Sequence, residues 1–186
     1  MITYREEKYK SWLENKSKCA ADFRNFLLEK SILKIEDGAI WKSRYLEKAN
    51  HNLDFAGLIL DLHKTEIKEK FQSQTFFDWA VIAYYYAIYH AALALLANSG
   101  FKSKSHLVTL CGIINFYFHR EKGLERKHLE ILSALEKTNV EQFVEAQGLR
   151  ERASYGASTN FEARLAEIAK RDSIEFVNKV KEILAK

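Results

Sequence analysis

The chain has 186 residues with no proline, seven glycines, 47% hydrophobic residues and 13% aromatic ones, which suits one domain with a sizeable core and excludes a disordered chain. Sandwiches and barrels need turn residues about every 8–12 positions, and Gly plus Pro fall far below their average share of ~12%, so the expected class is all-α with short connections. A net charge of +4 permits an anionic partner without requiring one.

The first segment, about Tyr4 to Leu33, carries Trp12, Cys19, Phe23, Phe26 and Leu27 at steps of three, four and seven. That spacing predicts one amphipathic helix, closed at Glu36-Asp37-Gly38 with Gly38 as a left-handed C-terminal cap. Its mixed-charge start, Met1 to Lys8, lacks the apolar core of a signal peptide. A second helix is predicted from about Ile40 to Leu62, with Trp41, Tyr45, Ala49, Leu53, Ala56 and Leu60 inward. The polar stretch His63 to Gln74 either prolongs it or forms a short helix of its own.

The third helix, about Thr75 to Asn98, belongs to a run without Asp, Glu, Lys or Arg from Trp79 to Phe101. Such a run is long enough to cross a bilayer. Tyr84, Tyr85, Tyr86, Tyr89 and His90 near its middle would each need a partner in hydrocarbon, so a bundle's central helix is the expectation and no membrane span is predicted. After Ser99-Gly100 comes the basic connection Phe101 to His106, whose serines suit a helix N-cap. Further helices are predicted from about His106 to Arg120, Leu124 to Lys137 and Val140 to Tyr155, and a last one from Thr159 to Leu184, where Thr159 to Glu162 has capping-box spacing. The simplest partition is an N-terminal helical extension, residues 1–38, and a bundle, residues 39–186.

Phosphate-loop, zincin and nucleophile-elbow signatures are absent. Cys19 and Cys111 stand far apart in apolar stretches and read as reduced core thiols of a cytoplasmic protein. Among six histidines, only Glu125-Arg126-Lys127-His128 has the Glu-x-x-His spacing of a di-iron bundle, and that centre needs two such pairs. No metal and no cofactor is therefore expected.

Three clusters could carry chemistry. Ala83 to Ala92 gathers Tyr85, Tyr86 and His90 among small residues, either a satisfied core network or a cleft lining. In Leu149 to Gly156, Arg152 and Tyr155 lie one helical turn apart and Arg150 lies above Ser154. Guanidinium forks suit phosphate oxygens, although pairing with Glu151 or Glu145 is the plainer alternative. Between residues 102 and 130, Lys102, Lys104, Arg120, Lys122, Arg126 and Lys127 outnumber Glu121, Glu125 and Glu130 by three, with His106, His119 and His128 among them. Folded beside Arg150 and Arg152, these would form a basic cleft for an RNA backbone; alone, they are a solvated face.

In two of these strings the sequence resembles a HEPN domain, the "higher eukaryotes and prokaryotes nucleotide-binding" helical family, chiefly its small prokaryotic members. YYYAIYHAALALLANSGFKSKSH, Tyr84 to His106, resembles that family's central helix and Lys-Ser-His connection, and LRERASYG, Leu149 to Gly156, is similar to its late motif of Arg followed by His or Tyr. The resemblance covers roughly Ala39 to Leu184. It implies an up-and-down bundle of four to five helices, a homodimer whose late motifs face one cleft, and RNA or nucleotide binding. In toxin-antitoxin members it also implies metal-independent RNase activity and a minimal nucleotidyltransferase partner.

Carried across, Arg150 corresponds to the phosphate-positioning Arg, and Tyr155 occupies the place of the acid-base His. A phenol with a pKa near ~10 is a poor base at neutral pH, where imidazole near ~6.5 is well placed. The tyrosine that toxin-type members carry two places further on falls at Ala157. The expectation is therefore RNA or nucleotide binding at a dimer cleft by Arg150, Arg152, Tyr155, Lys102, Lys104 and His106, with degenerate or weak RNase activity. A non-catalytic module that pairs with a nucleotidyltransferase or another protein is the alternative.

Overall fold

A computed structural model describes residues 4–71, 74–137 and 158–186. In chain order these form α1 (Tyr4–Glu14), α2 (Lys16–Leu28), β1 (Ile32–Lys34), α3 (Gly38–His63), α4 (Glu66–Phe71), α5 (Phe77–Asn98), β2 (Phe101–Ser103), α6 (His106–Ile113), a π-helical turn (Ile114–Phe118), α7 (Arg126–Lys137) and α8 (Ser158–Leu184). The protein is an all-α bundle with one two-stranded ribbon among the described residues. The helix predicted from Val140 to Tyr155 lies outside the described residues, and with it Arg150, Arg152 and Tyr155.

The predicted helix over 4–33 is two helices. Asn15 takes an extended backbone conformation (φ −131°) and its side-chain oxygen accepts the Lys18 N–H at 2.9 Å, the geometry of an N-cap that starts a new helix. Asp22 braces the pair: its carboxylate accepts from Trp12 Nε1 at 2.8 Å and Lys8 Nζ at 3.0 Å. Burial alone would raise the Asp22 pKa, but the bonds from Trp12 and Lys8 outweigh it and hold the carboxyl below its ordinary range.

The left-handed cap is Lys30 (φ 58°), not Gly38. Ser31 N–H reaches Phe26 O at 2.9 Å and Lys30 N–H reaches Leu27 O at 3.2 Å, the two bonds of a Schellman closure. Gly38 instead opens α3, and a Cβ there would meet the Ala97 carbonyl oxygen at 2.7 Å. It is glycine because two backbones touch. Gly100 (φ 84°) does take the left-handed conformation expected after α5.

The basic connection after Gly100 is also more ordered than a loop. Phe101 to Ser103 pairs antiparallel with Ile32 to Lys34, in the register Ile32↔Ser103, Leu33↔Lys102, Lys34↔Phe101. Ser105 then caps α6 as expected, accepting from the Val108 N–H at 3.4 Å. The predicted helix from His106 changes to π geometry at Ile114. The extra residue per turn directs Tyr117 toward the end of α5, where its hydroxyl donates to Leu95 O at 2.8 Å and accepts from Asn98 Nδ2 at 3.2 Å. Leu95 O, which also accepts the Ser99 N–H at 3.2 Å, thereby ties the π turn to the end of α5. At the other end of α5, the Phe76 N–H donates to His63 Nε2 at 2.8 Å.

The core is organised around α5. Long and apolar enough to cross a membrane, this helix has 78% of its most apolar stretch buried within the fold. α3 and α8 pack along it, and α6 and β2 also meet it. Trp12, Cys19, Phe23 and Ile32 join Leu95, Leu96, Cys111 and Ile113 in one buried cluster. Phe23 makes edge contacts with Phe101 and Phe116, ring centroids 5.2 and 5.0 Å away, so α2, β2 and the π turn share one aromatic joint.

Two glycines in α3 should respond oppositely to alanine. At Gly38 the new methyl meets fixed backbone, which should cost about 1–3 kcal/mol. At Gly57 a methyl would have nothing within 4 Å, and alanine should gain about 0.5–1 kcal/mol in helix propensity. Urea denaturation of Gly38→Ala and Gly57→Ala measures both, and midpoints shifting in the same direction would contradict the packing described.

Candidate functional site

On α3, Trp41, Tyr45, Lys48 and Asn52 recur at steps of four, three and four, which places them on one stripe of the helix. Tyr86 and His90 form the facing stripe of α5, β2 brings Lys102, and the Ser105 cap fixes His106 at the start of α6. Together they make a ledge of rings. Trp41 and Tyr45 lie 5.7 Å apart, Tyr45 stacks on His90 at 6.4 Å, and Tyr86 stacks on the same imidazole at 6.0 Å. Beside them, His106 stacks on Tyr89 at 3.8 Å with the planes 17° apart.

Cations border the rings. Lys102 Nζ stands 5.3 Å and Arg44 Cζ 5.7 Å from the Trp41 ring centre, within the range of cation–π attraction. Across residues 38–52 and 99–106, Lys42, Arg44, Lys48, Lys102 and Lys104 accompany a single acid, Glu47, whose carboxylate accepts from Ser43 Oγ at 3.3 Å. Trp41, Tyr45 and His90 are half-buried, Tyr89 is buried, and Tyr86, His106, Arg44 and Lys48 are exposed. The rings are thus anchored in the bundle while several of their residues remain partly exposed.

The Asn52 amide nitrogen lies 3.1 Å from His90 Nδ1. Burial pushes the His90 pKa below its ordinary value, and the charges of Lys48 and His106 act in the same direction against a hydrogen bond to the Tyr86 backbone. The imidazole is therefore mostly neutral at pH 7 and packs between the Tyr45 and Tyr86 rings. Burial likewise pushes the Tyr45 phenol up, so it too is uncharged.

Of the residues singled out in the sequence, Tyr86, His90, Lys102 and His106 come together on this ledge. Lys104 is exposed next to the Ser105 cap, and Tyr85 is half-buried against the core. Sequence spacing does not mark Trp41, Tyr45 and Asn52 as site residues, because it is also that of an inward apolar face; their polar edges are the available signal. The basic run further on is largely engaged: Arg126 pairs with Glu130 at 3.7 Å, Lys127 with Glu175 at 3.1 Å, and Arg120 stands over the Phe116 ring at 5.0 Å.

His119 and His128 have structural roles. His119 Nε2 lies 2.7 Å from Trp12 O, tying the π turn to α1. His128, 2% exposed, accepts the Glu125 N–H at its Nδ1, 3.1 Å away, and so closes the start of α7 as a capping-box Glu would. No group of three His, Cys, Asp or Glu suited to a metal ion occurs among the described residues. Comparison with protein-family models, curated proteins and solved structures finds no match for the chain.

One buried and one half-buried imidazole make stability pH-dependent. Burial, with Lys127 beside it, pushes His128 below its ordinary pKa, as burial does His90. Between the folded values and the unfolded value near ~6.5, the unfolded chain binds more protons. Stability should therefore be level above pH 7 and fall as pH drops below about 6.5. His128→Gln, which keeps an acceptor for the Glu125 N–H but cannot titrate, should recover part of that loss. Urea midpoints at pH 7.5, 6 and 5 measure it, and a wild-type midpoint unchanged across that series would refute the assignment.

Proposed function

We propose that the chain is a HEPN-like cytoplasmic protein that binds RNA or a nucleotide, with the ledge of α3, α5 and β2 as the surface that takes the bases. One observation carries the reading: Lys102 lies over Trp41, His90 between Tyr45 and Tyr86, and His106 on Tyr89. Flat rings stack on bases of any sequence, and cations beside them meet the phosphates; this pairing is the general design of single-strand binding surfaces. The HEPN-like order of the Tyr84 to His106 string is consistent with it.

In this reading Arg150 and Arg152 supplement the phosphate contacts, and two subunits form the complete cleft. Tyr155 is a poor base at neutral pH, so any RNase activity is weak and a role as the toxin-like half of a toxin-antitoxin pair is reduced to binding. The second reading is a module that docks a nucleotidyltransferase or another protein, for which the exposed apolar side chains Phe55, Leu58 and Trp79, at 46, 55 and 54%, are the candidate contacts.

Fluorescence anisotropy with a labelled single-stranded RNA oligonucleotide separates the two. Trp41→Ala should weaken binding by roughly 5–150-fold, the worth of one stacked base. Lys102→Ala should also lower the slope of log affinity against log salt by about 0.7, while Trp79→Ala should leave affinity unchanged. Absence of RNA and nucleotide binding by the folded wild type, or full affinity in both ledge variants, would remove this reading.

A further inference from the structure

The two cysteines, 92 positions apart, meet in the middle of the core: Cys19 Sγ on α2 lies 4.0 Å from Cys111 Sγ on α6. Each sulfur also reaches the other residue's backbone oxygen, at 3.6 Å for Cys19 Sγ and 3.7 Å for Cys111 Sγ. This reciprocity means that the two side chains cross at a point where the helix backbones run close. Gly112, next to Cys111, leaves room for side chains packed on α6, since a Cβ there would meet Leu96 Cδ1 of α5 at 2.7 Å and the Phe23 ring of α2 at 3.4 Å. Both cysteines are 0% exposed, and the chain has no other cysteine to compete for pairing.

We propose that Cys19 and Cys111 are an oxidisable pair whose disulfide staples α2 to α6 and so locks the N-terminal helices onto the bundle. A disulfide needs its sulfurs at about 2.05 Å. The two sulfurs, which already face each other, have therefore to close from 4.0 Å to that length. With a hydroperoxide as oxidant the step is balanced. One thiolate attacks a peroxide oxygen, giving a sulfenic acid and releasing hydroxide, which takes up the proton the thiol lost. The second sulfur displaces the sulfenic oxygen as water, and the S–S bond forms. Two thiols and one hydrogen peroxide thus become one disulfide and two waters, the two electrons passing from sulfur to oxygen.

Burial sets the kinetics. The contact with Cys19 and the apolar surroundings keep the Cys111 thiol protonated, and a protonated thiol is not a nucleophile. Oxidation therefore waits for α1 and α2 to open away from α6, and once formed the bond removes that opening. The bond closes a long loop, and loop closure of this length constrains the unfolded chain strongly.

The test uses the full chain, treated with hydrogen peroxide, acid-quenched, alkylated and analysed by intact and peptide mass. The expected product is a monomeric polypeptide lighter by two hydrogens, with the Cys19 and Cys111 peptides linked. Its Tm should be higher by about 10 °C, and the gain should be reversed by dithiothreitol. Cys19→Ala and Cys111→Ala should each show no such gain. Mass addition of oxygen in place of the link, links only between chains, thiols that persist although hydrogen exchange shows α2 opening, or a linked chain with unchanged or lower Tm would each overturn the proposal.

Discussion

The structure depends on keeping one helix, without charged residues from Trp79 onward, out of water. α5 offers almost no polar face, so it must be covered on most of its circumference, and the rest of the chain is arranged to do so. Alanines at 80, 83, 87, 91, 92, 94 and 97 are all buried and let neighbouring backbones come near. Gly38 is the extreme case, where α3 begins against the Ala97 carbonyl. The cover also provides for polar tips. Tyr84, 1% exposed, has its phenol pushed up to about 12 by burial, with the carboxylates of Glu167 and Asp61 adding to the effect, so it behaves as a neutral core ring.

Coverage is uneven, and the unevenness makes the ledge of rings. The residues acting on Tyr84 come from α3 and α8, which places α8 on that side of α5. Tyr86 and His90 emerge on another side, where α3 supplies Tyr45 and Asn52 and the strand β2 supplies Lys102. Aromatic side chains with a polar edge fit this position, since one part of the ring is dry and another is wet. The same helix that demands burial thus presents rings that another molecule could share. The neighbouring cations follow from α3 and the β2 segment having one acid among their five Lys and Arg residues there.

Much of the fold is legible in the sequence because its strongest signals are local. A run without charge marks the central helix, Gly100 the turn after it, and Ser105 the next cap. What escapes is decided by contacts distant in sequence. Gly38 looks like a helix stop until Ala97 is known to lie against it. Leu33 and Lys102 do not announce a strand pair, since the ribbon is three residues per strand and is held by what packs on it. Asn15 does carry a local signal, an N-cap residue in mid-helix, which the surrounding amphipathic pattern masks. For the site, the Tyr-His and Lys-Ser-His strings are visible, but Trp41 and Tyr45 are not separable from core residues by spacing. Beyond their polar edges, it is the tertiary placement of Lys102 over Trp41 that distinguishes them.

The N-terminal helices bear on the ledge through β1. Lys102 stands over Trp41 because β2 is straightened by pairing with Ile32 to Lys34, and β1 is in turn fixed by Ile32, 1% exposed, and by the Schellman closure at Lys30. Behind β2, Phe101 is clamped between Phe23 of α2 and Phe116 of the π turn. Displacing α2 therefore removes the edge contact of Phe101 and the anchor of β1 together, and the basic strand loses the two supports that set its height above α3. The position of the ledge's cation is a property of the α2–α6 joint, where Cys19 faces Cys111, as much as of the residues that line the ledge itself.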